Sequence, residues 1–417
     1  MIESADLPGE EQLARIRRRT VGMLSLGQVL GGIAFGATLS LGAILVSDVS
    51  GDEALSGLAT ASVTVGAAAF AIPLAALARR RGRRPALTTG LALALVGVVL
   101  VVLAAQWRSF PLLLAGIVLI GAGQAANLQS RFAAADLATD RSRGRDISIV
   151  VWATTIGAVL GPNLVGPGEA LGAAVGMPPL TGPYLFTIVA QVGAVVLFLV
   201  FLRPDPLLLA QRITAAATTA AGAGIARADR PRAARYAIVA IAGSHGVMVA
   251  VMAMTPVHLL HHGATLTIIG LTLSLHIAGM YALSPVFGIL ADRWGRVPTI
   301  LLGQALLAAS LLVSGFGQSS SGAVTVGLVL LGLGWSAATV AGAALLVESS
   351  SEALRTRRQG RSDLTMNAVG AVGAIAAGAV LGLIGYGGLA FAALAIVAVV
   401  IVLSPFGRVT PRVEADG

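Results

Sequence analysis

Twelve apolar stretches, each long enough to cross a lipid bilayer, dominate this chain. They run over 21–46, 56–78, 86–106, 110–130, 147–166, 184–202, 236–257, 266–287, 298–316, 322–346, 363–384 and 387–406. A crossing helix needs about 20 predominantly apolar residues, so the pattern predicts an all-α integral membrane protein with twelve transmembrane helices. The whole composition agrees: 56% of the 417 residues are hydrophobic, 11% are charged and the mean hydropathy is +0.88. A water-soluble domain carries roughly 25% charged residues. The 52 glycines would weaken helices in water, but in a bilayer small residues let helix backbones approach closely and slide.

Arginine sets the orientation. All 28 basic residues are arginine, and 27 fall in the N-terminal tail, the alternate loops, the helix ends beside them, the central linker or the C-terminal tail. Only Arg108 lies outside. Because short cytoplasmic segments collect positive charge, both termini are expected in the cytoplasm and the protein in the inner (cytoplasmic) membrane. The +9 net charge is then a topology signal, and no nucleic acid is expected as a partner. There is no cysteine, which excludes disulfides, thiolate metal sites and thiol redox chemistry. The acidic start of the chain does not read as a signal peptide, so the first span should remain as a helix.

The chain divides in two. Residues 204–234, rich in Ala, Thr and Arg, read as a cytoplasmic linker between an N-terminal six-helix bundle (21–203) and a C-terminal one (235–406), with cytoplasmic tails at 1–20 and 407–417. An internal repeat supports the division. Residues 77–90 align with 290–303 at a constant offset of 213, with seven of fourteen positions identical. Each copy joins the second and third helices of its half, as two pseudo-symmetric halves require.

The second copy, Gly288-Ile289-Leu290-Ala291-Asp292-Arg293-Trp294-Gly295-Arg296, resembles the signature loop of the major facilitator superfamily. That resemblance implies a monomeric secondary transporter. Physically the loop is a charge latch. Asp292 can accept bonds from the positive N-terminus of a neighbouring helix, while Arg293 and Arg296 bind carboxylates and lipid phosphates. An ordinary positively charged loop is the plainer reading. In the first copy Arg79 stands where the acid should be, which puts a latch there in doubt.

Ionisable residues in a bilayer are costly, so they are functional candidates. No span has an acid near its centre; Asp136, Glu348 and Asp363 sit near cytoplasmic ends. Instead, all five histidines lie between His245 and His276, accompanied by methionines. Met248 and Met252 are four apart, as are His276 and Met280, so each pair shares a helix face. At about 1.5 Å per residue, Met248 sits about 18 Å in from one surface and His276 about 15 Å in from the other, close to the same depth. Thioether and imidazole are a soft to borderline set suited to copper, Cu(I) especially. Met can equally be filling gaps between helices, with His276 a satisfied bundle histidine.

The paired patterns M-x-x-x-M and H-x-x-x-M, 28 residues apart, resemble those of the CcoA-like copper transporters, the CalT branch of the superfamily. This implies copper uptake into the cytoplasm for haem-copper oxidase assembly, with Met248, Met252, His276 and Met280 as the copper-binding residues. Copper is then transported substrate, and no tightly bound cofactor is expected. His245 and Met254 are possible further ligands. His258, His261 and His262 at the outer mouth either capture metal or merely form a polar loop. Proteobacterial members of that group have cysteines that this chain lacks.

A competing signal sits on the fifth span. Gly157, Gly161-Pro162 and Gly166-Pro167 resemble the Gly-Pro motif of superfamily antiporters, which would make the protein a proton-coupled drug or metabolite exporter. A hinge in any rocking carrier explains Gly161 and Pro162 as well. Gln124 and Asn127 on the fourth span can line a cavity or bond between helices. Nothing resembles a P-loop, a nucleophile triad or H-E-x-x-H, so no enzyme is expected. Beyond the lipid bilayer and copper, the remaining expected partner is the proton, as coupling ion.

Overall fold

The computed structural model describes residues 8–52, 55, 58–220, 229–264 and 266–408. Arg227 and Arg412, read above as part of the linker and tail charge, lie outside the described residues. Among those residues the chain is helical with no strand, because in hydrocarbon a helix satisfies its own backbone polar groups.

The helices are α1 (Glu10–Ser50), α2 (Leu58–Arg81), α3 (Arg83–Trp107), α4 (Phe110–Ala135), α5 (Arg143–Asn163), α6 (Val165–Ala174), α7 (Tyr184–Val196) and α8 (Pro206–Ala220). After the linker come α9 (Pro231–His261), α10 (Leu266–Tyr281), α11 (Ser284–Arg293), α12 (Arg296–Phe316), α13 (Ser321–Glu348) and α14 (Glu352–Val402). Among the described residues nine helices are long and apolar enough to cross a membrane. The 51-residue α14 contains a non-helical break at Gly385, φ 72° and ψ −179°. Tyr386 beside the break meets Thr255 and His258 at one end of α9, whereas Gly407 meets Tyr236 at the other. The helix therefore turns back at Gly385 and crosses twice. With α1 and the α5–α6 pair, the layout is consistent with twelve crossings.

Two departures from the linear reading have local causes. First, α1 begins at Glu10, inside the stretch expected as a tail, because Glu10 and Glu11 place negative charge at the helix N-terminus. Its arginine run is tied down by Arg17 on Asp146 at 3.5 Å and Arg19 on the Phe201 carbonyl at 3.2 Å. Second, the linker contains α8, whose free N–H groups are capped by the Asp205 carboxylate at Leu207 and Leu208. Arg108, the arginine that broke the charge pattern, pairs with Asp48 at 3.3 Å at the opposite end of the molecule.

The internal repeat is structural as well as textual. Gly82, between α2 and α3, has φ 94°, and Gly295, between α11 and α12, has φ 100°. That region is open to glycine and strained for other residues.

The two halves meet at the arginine-rich end. There α5 packs along α11, and α14 packs along α2, where a Cβ on Gly360 would lie 2.5 Å from that of Ala75. Gly144 and Gly288 pass so closely that a Cβ on either would sit 2.5 Å from the other's carbonyl oxygen. Away from this end, α1 and α9 make no substantial contact among the described residues, and Val372, Ile375, Leu383 and Ile384 along α14 become exposed. The space between the halves is thus sealed at the arginine-rich end and open at the far end.

Candidate functional site

The seal is built on Asp292. Its carboxylate accepts from the backbone N–H of Gly144 at 2.8 Å and of Arg145 at 2.9 Å, both in the first turn of α5. Unpaired N–H groups and the helix dipole make this a natural anion site. Arg296 bridges Asp292 to Glu348 at 3.2 Å and donates to the Asp140 carbonyl at 2.7 Å. Gly288 and Gly295 provide the close approach and the turn just described. Arg293 is exposed and joins no ion pair among the described residues.

The first copy seals by a different route. Arg79 is exposed, but Arg83, the counterpart of Arg296, is fully buried. It pairs with Asp136 at 2.7 and 3.2 Å and crosses to the Gln359 side chain on α14 at 2.6 Å. One helical turn further on, Asp363 accepts from Arg131 of α4 at 2.5 Å, and both side chains are almost wholly buried. A tie therefore exists without the missing acid. In the sequence Asp363 is only an acid near a cytoplasmic end, and Arg131 only one of the 27 arginines that mark the topology. The signal was present, since Gln124, Asn127 and Arg131 recur at the spacing of one helix face, as do Asp363, Asn367 and Gly370.

Gln124 and Asn127 stand half-buried on that stripe. Asn127 faces α1, where a Cβ on Gly31 would meet its side-chain nitrogen at 2.5 Å and Gln28 donates to its carbonyl at 3.0 Å. Gly157 is a close-packing position, since a Cβ there would lie 2.5 Å from the Val29 carbonyl of α1. The backbone of Gly161 and Pro162 is helical up to a kink at Leu164, while their side-chain surroundings lie outside the described residues.

The methionine and histidine residues form a group in the C-terminal half. Met248 and Met280 are buried in one apolar cluster with Leu307, Leu311, Leu328 and Trp335, and Met252 and Met254 pack partly buried against it. His276 is fully buried at the contact of α10 with α13. Its Nδ1 lies 2.8 Å from the Leu328 carbonyl, and its Nε2 is buried with no hydrogen-bond partner. A ring nitrogen facing a carbonyl must carry the proton, which leaves Nε2 as a free acceptor.

His245 joins the edge of that cluster through Trp335. Trp335 Nε1 donates to its Nδ1 at 3.1 Å, Tyr281 stands edge-on to Trp335, and the His245 ring faces Gly370 of α14. Trp335 and Tyr281 were not foreseen. At the far end His258 stacks on Tyr386 at 4.2 Å with its Nε2 2.7 Å from the Gln318 carbonyl, and His262 bonds back to the His258 carbonyl at 2.9 Å. His261 is exposed. Among the described residues no group of three or more His, Asp or Glu side chains is placed to hold a metal. Any soft-metal site must therefore be built from thioethers and single imidazoles.

Comparison with known proteins fits this architecture. The model of the Major Facilitator Superfamily matches residues 24–268 and 237–416. The chain is 36% identical over 367 residues to an uncharacterized MFS-type transporter, YddS, of Bacillus subtilis (strain 168), covering 86% of this chain and 84% of that protein. It is 29% identical over 359 residues to the riboflavin transporter RfnT of Brucella anthropi, covering 85% and 86% respectively. The crystal structure of the human organic anion transporter MFSD10 (TETRAN) superposes with a TM-score of 0.73 at 19% identity, over 93% of this chain and 99% of that one.

Proposed function

The chain belongs to the Major Facilitator Superfamily and is a multi-pass membrane transporter, and we propose that its cargo is copper, carried into the cytoplasm by alternating access. The arginine-rich end then faces the cytoplasm of a cell bounded by the inner membrane, and the open end faces outward, ready to load.

One observation carries the reading. His276 commits Nδ1 to a backbone carbonyl and leaves Nε2 buried and unpartnered. A metal-ligating imidazole is typically oriented in this way, and a merely structural histidine has no use for a buried free acceptor. Met280 lies on the same helix face one turn away, and Met248 shares its cluster. Neutral thioethers bind Cu(I) without a thiolate's grip, which suits cargo that must leave. Delivery to haem-copper oxidase assembly follows as the use of the metal.

The test is radiolabelled copper uptake into cells expressing the protein. His276→Ala and Met248→Ala should each reduce uptake to the level of cells lacking the gene. Uptake equal to wild type in both variants sinks the reading. A second reading, transport of a flat organic solute of the riboflavin kind, is favoured by the similarity to RfnT along most of the chain. Riboflavin uptake in the same cells, unaffected by either variant, would select it.

A further inference from the structure

We propose that Asp363 is the binding site of the coupling proton, and that neutralising it lets the sealed end part. Among the described residues the Arg131–Asp363 pair is the most deeply buried ion pair between the halves, with side-chain exposures of 3% and 0%. It is also incompletely satisfied. Only one carboxylate oxygen is bonded; the other and Arg131 Nε are buried without partners. The remaining contacts of Arg131 are soft, Met366 sulfur at 3.9 Å and the Phe132 ring at 4.9 Å.

The charges around the pair come from four elements. Arg131 comes from α4, Arg83 from α3 with its charge matched by Asp136 of the loop after α4, His245 from α9 and Tyr281 from α10. No second acid or free cation is placed to take over from either partner among the described residues. Inward opening must separate α4 from α14, and separating a buried ion pair leaves two uncompensated charges, which is strongly unfavourable. A proton on the carboxylate removes one of those charges and with it most of the attraction. The carboxylate becomes a carboxylic acid and no other bond changes. Parting then exposes Asp363 to water on the arginine-rich side, where the proton leaves. A proton entering from the open side would therefore be discharged on the other side. This does not depend on which cargo is carried.

The absence of native cysteine makes the test direct. Spin labels on Arg80→Cys and Arg357→Cys, exposed residues on opposite halves at the sealed end, report the separation in the full-length protein in lipid nanodiscs without cargo. In the otherwise wild-type protein, the separated population should grow as pH falls. Asp363→Asn should be largely separated and insensitive to pH, and Asp363→Glu should keep the pH dependence with a displaced midpoint. A structural role alone would change the amount of opening, not its pH dependence. The proposal is overturned if the wild-type protein shows no pH dependence, or if Asp363→Asn keeps an unchanged midpoint. If Asp363→Asn fails to fold, an unchanged midpoint in Asp363→Glu overturns it equally.

Discussion

Replacing Asp292 with Asn removes one charge from the seal and almost nothing else. The amide keeps the shape of the carboxylate, but its one oxygen can accept from only one of the two α5 N–H groups, and its NH2 is turned against the other. A hydrogen bond to a charged group contributes about 1.5–3 kcal/mol, and a charge at a helix N-terminus about 0.3–1 kcal/mol, up to about 2 when partly buried. Together with the weakened Arg296 contact, the closed end should lose about 2–4 kcal/mol. The Arg145 N–H is solvent-exposed, so the lower part of that range applies. At tenfold per 1.4 kcal/mol, the ratio of parted to sealed protein should rise about 30-fold or somewhat more. Spin labels on Arg141→Cys and Trp294→Cys, both exposed beside the contact, measure that ratio in nanodiscs with and without Asp292→Asn. A change of less than about threefold, roughly 0.7 kcal/mol, would mean that the carboxylate does not hold α5, and the latch argument would fail.

Two further outcomes follow from the same geometry. Gly288→Ala should part the sealed end more than Asp292→Asn does, because the new Cβ lies 2.5 Å from the Gly144 carbonyl. That backbone oxygen cannot rotate away, so the Arg141/Trp294 label pair should show the larger shift even when Ser148 is also replaced by Ala. At the start of α14, Asp229 accepts from Arg358 at 2.6 and 2.7 Å and from the Ser351 N–H at 3.0 Å. The bonds from Arg358 hold its carboxyl below the usual aspartate range. Its contribution is therefore present at neutral pH and is lost as pH falls below roughly 4, through the lowered folded-state value. Hydrogen exchange at the Ser351 amide should be faster in Asp229→Asn than in wild type at neutral pH, and the difference should vanish on acidification. A difference that persists in acid would refute that capping role.

Much of this molecule is written in one dimension, because lipid imposes its requirements residue by residue. Apolar length marks a crossing, arginine marks an end, and Asp292 between paired glycines marks a helix-terminus latch. Each of these features depends on near neighbours in the chain. The repeat at 77–90 and 290–303 predicted a shared loop, and Gly82 and Gly295 adopt nearly the same φ. The missing acid at Arg79 was equally legible. The replacement tie through Arg83 and Gln359 was not, because those residues are 276 positions apart.

What only the tertiary structure decided is which side chains are brought together from distant parts of the chain. Arg131 and Asp363, 232 residues apart, looked like surface charges until the halves closed over them. His245 read as a possible further ligand, and its bond from Trp335, 90 residues away, could not be read from the sequence. His258 read as either a metal-capturing or a merely polar residue of the mouth, and its stacking on Tyr386 beyond the Gly385 turn is visible only in the fold. A helix face that points to lipid and one that points to a partner helix can carry the same apolar residues, since without water between them the hydrophobic effect does not choose. The sequence by itself therefore determined the fold class and singled out the loop around Asp292, while the helix that Asp292 holds was fixed only by the fold. Packing between the halves decided where charge is buried and which end is sealed, and packing of α10 on α13 decided that His276 keeps one nitrogen free.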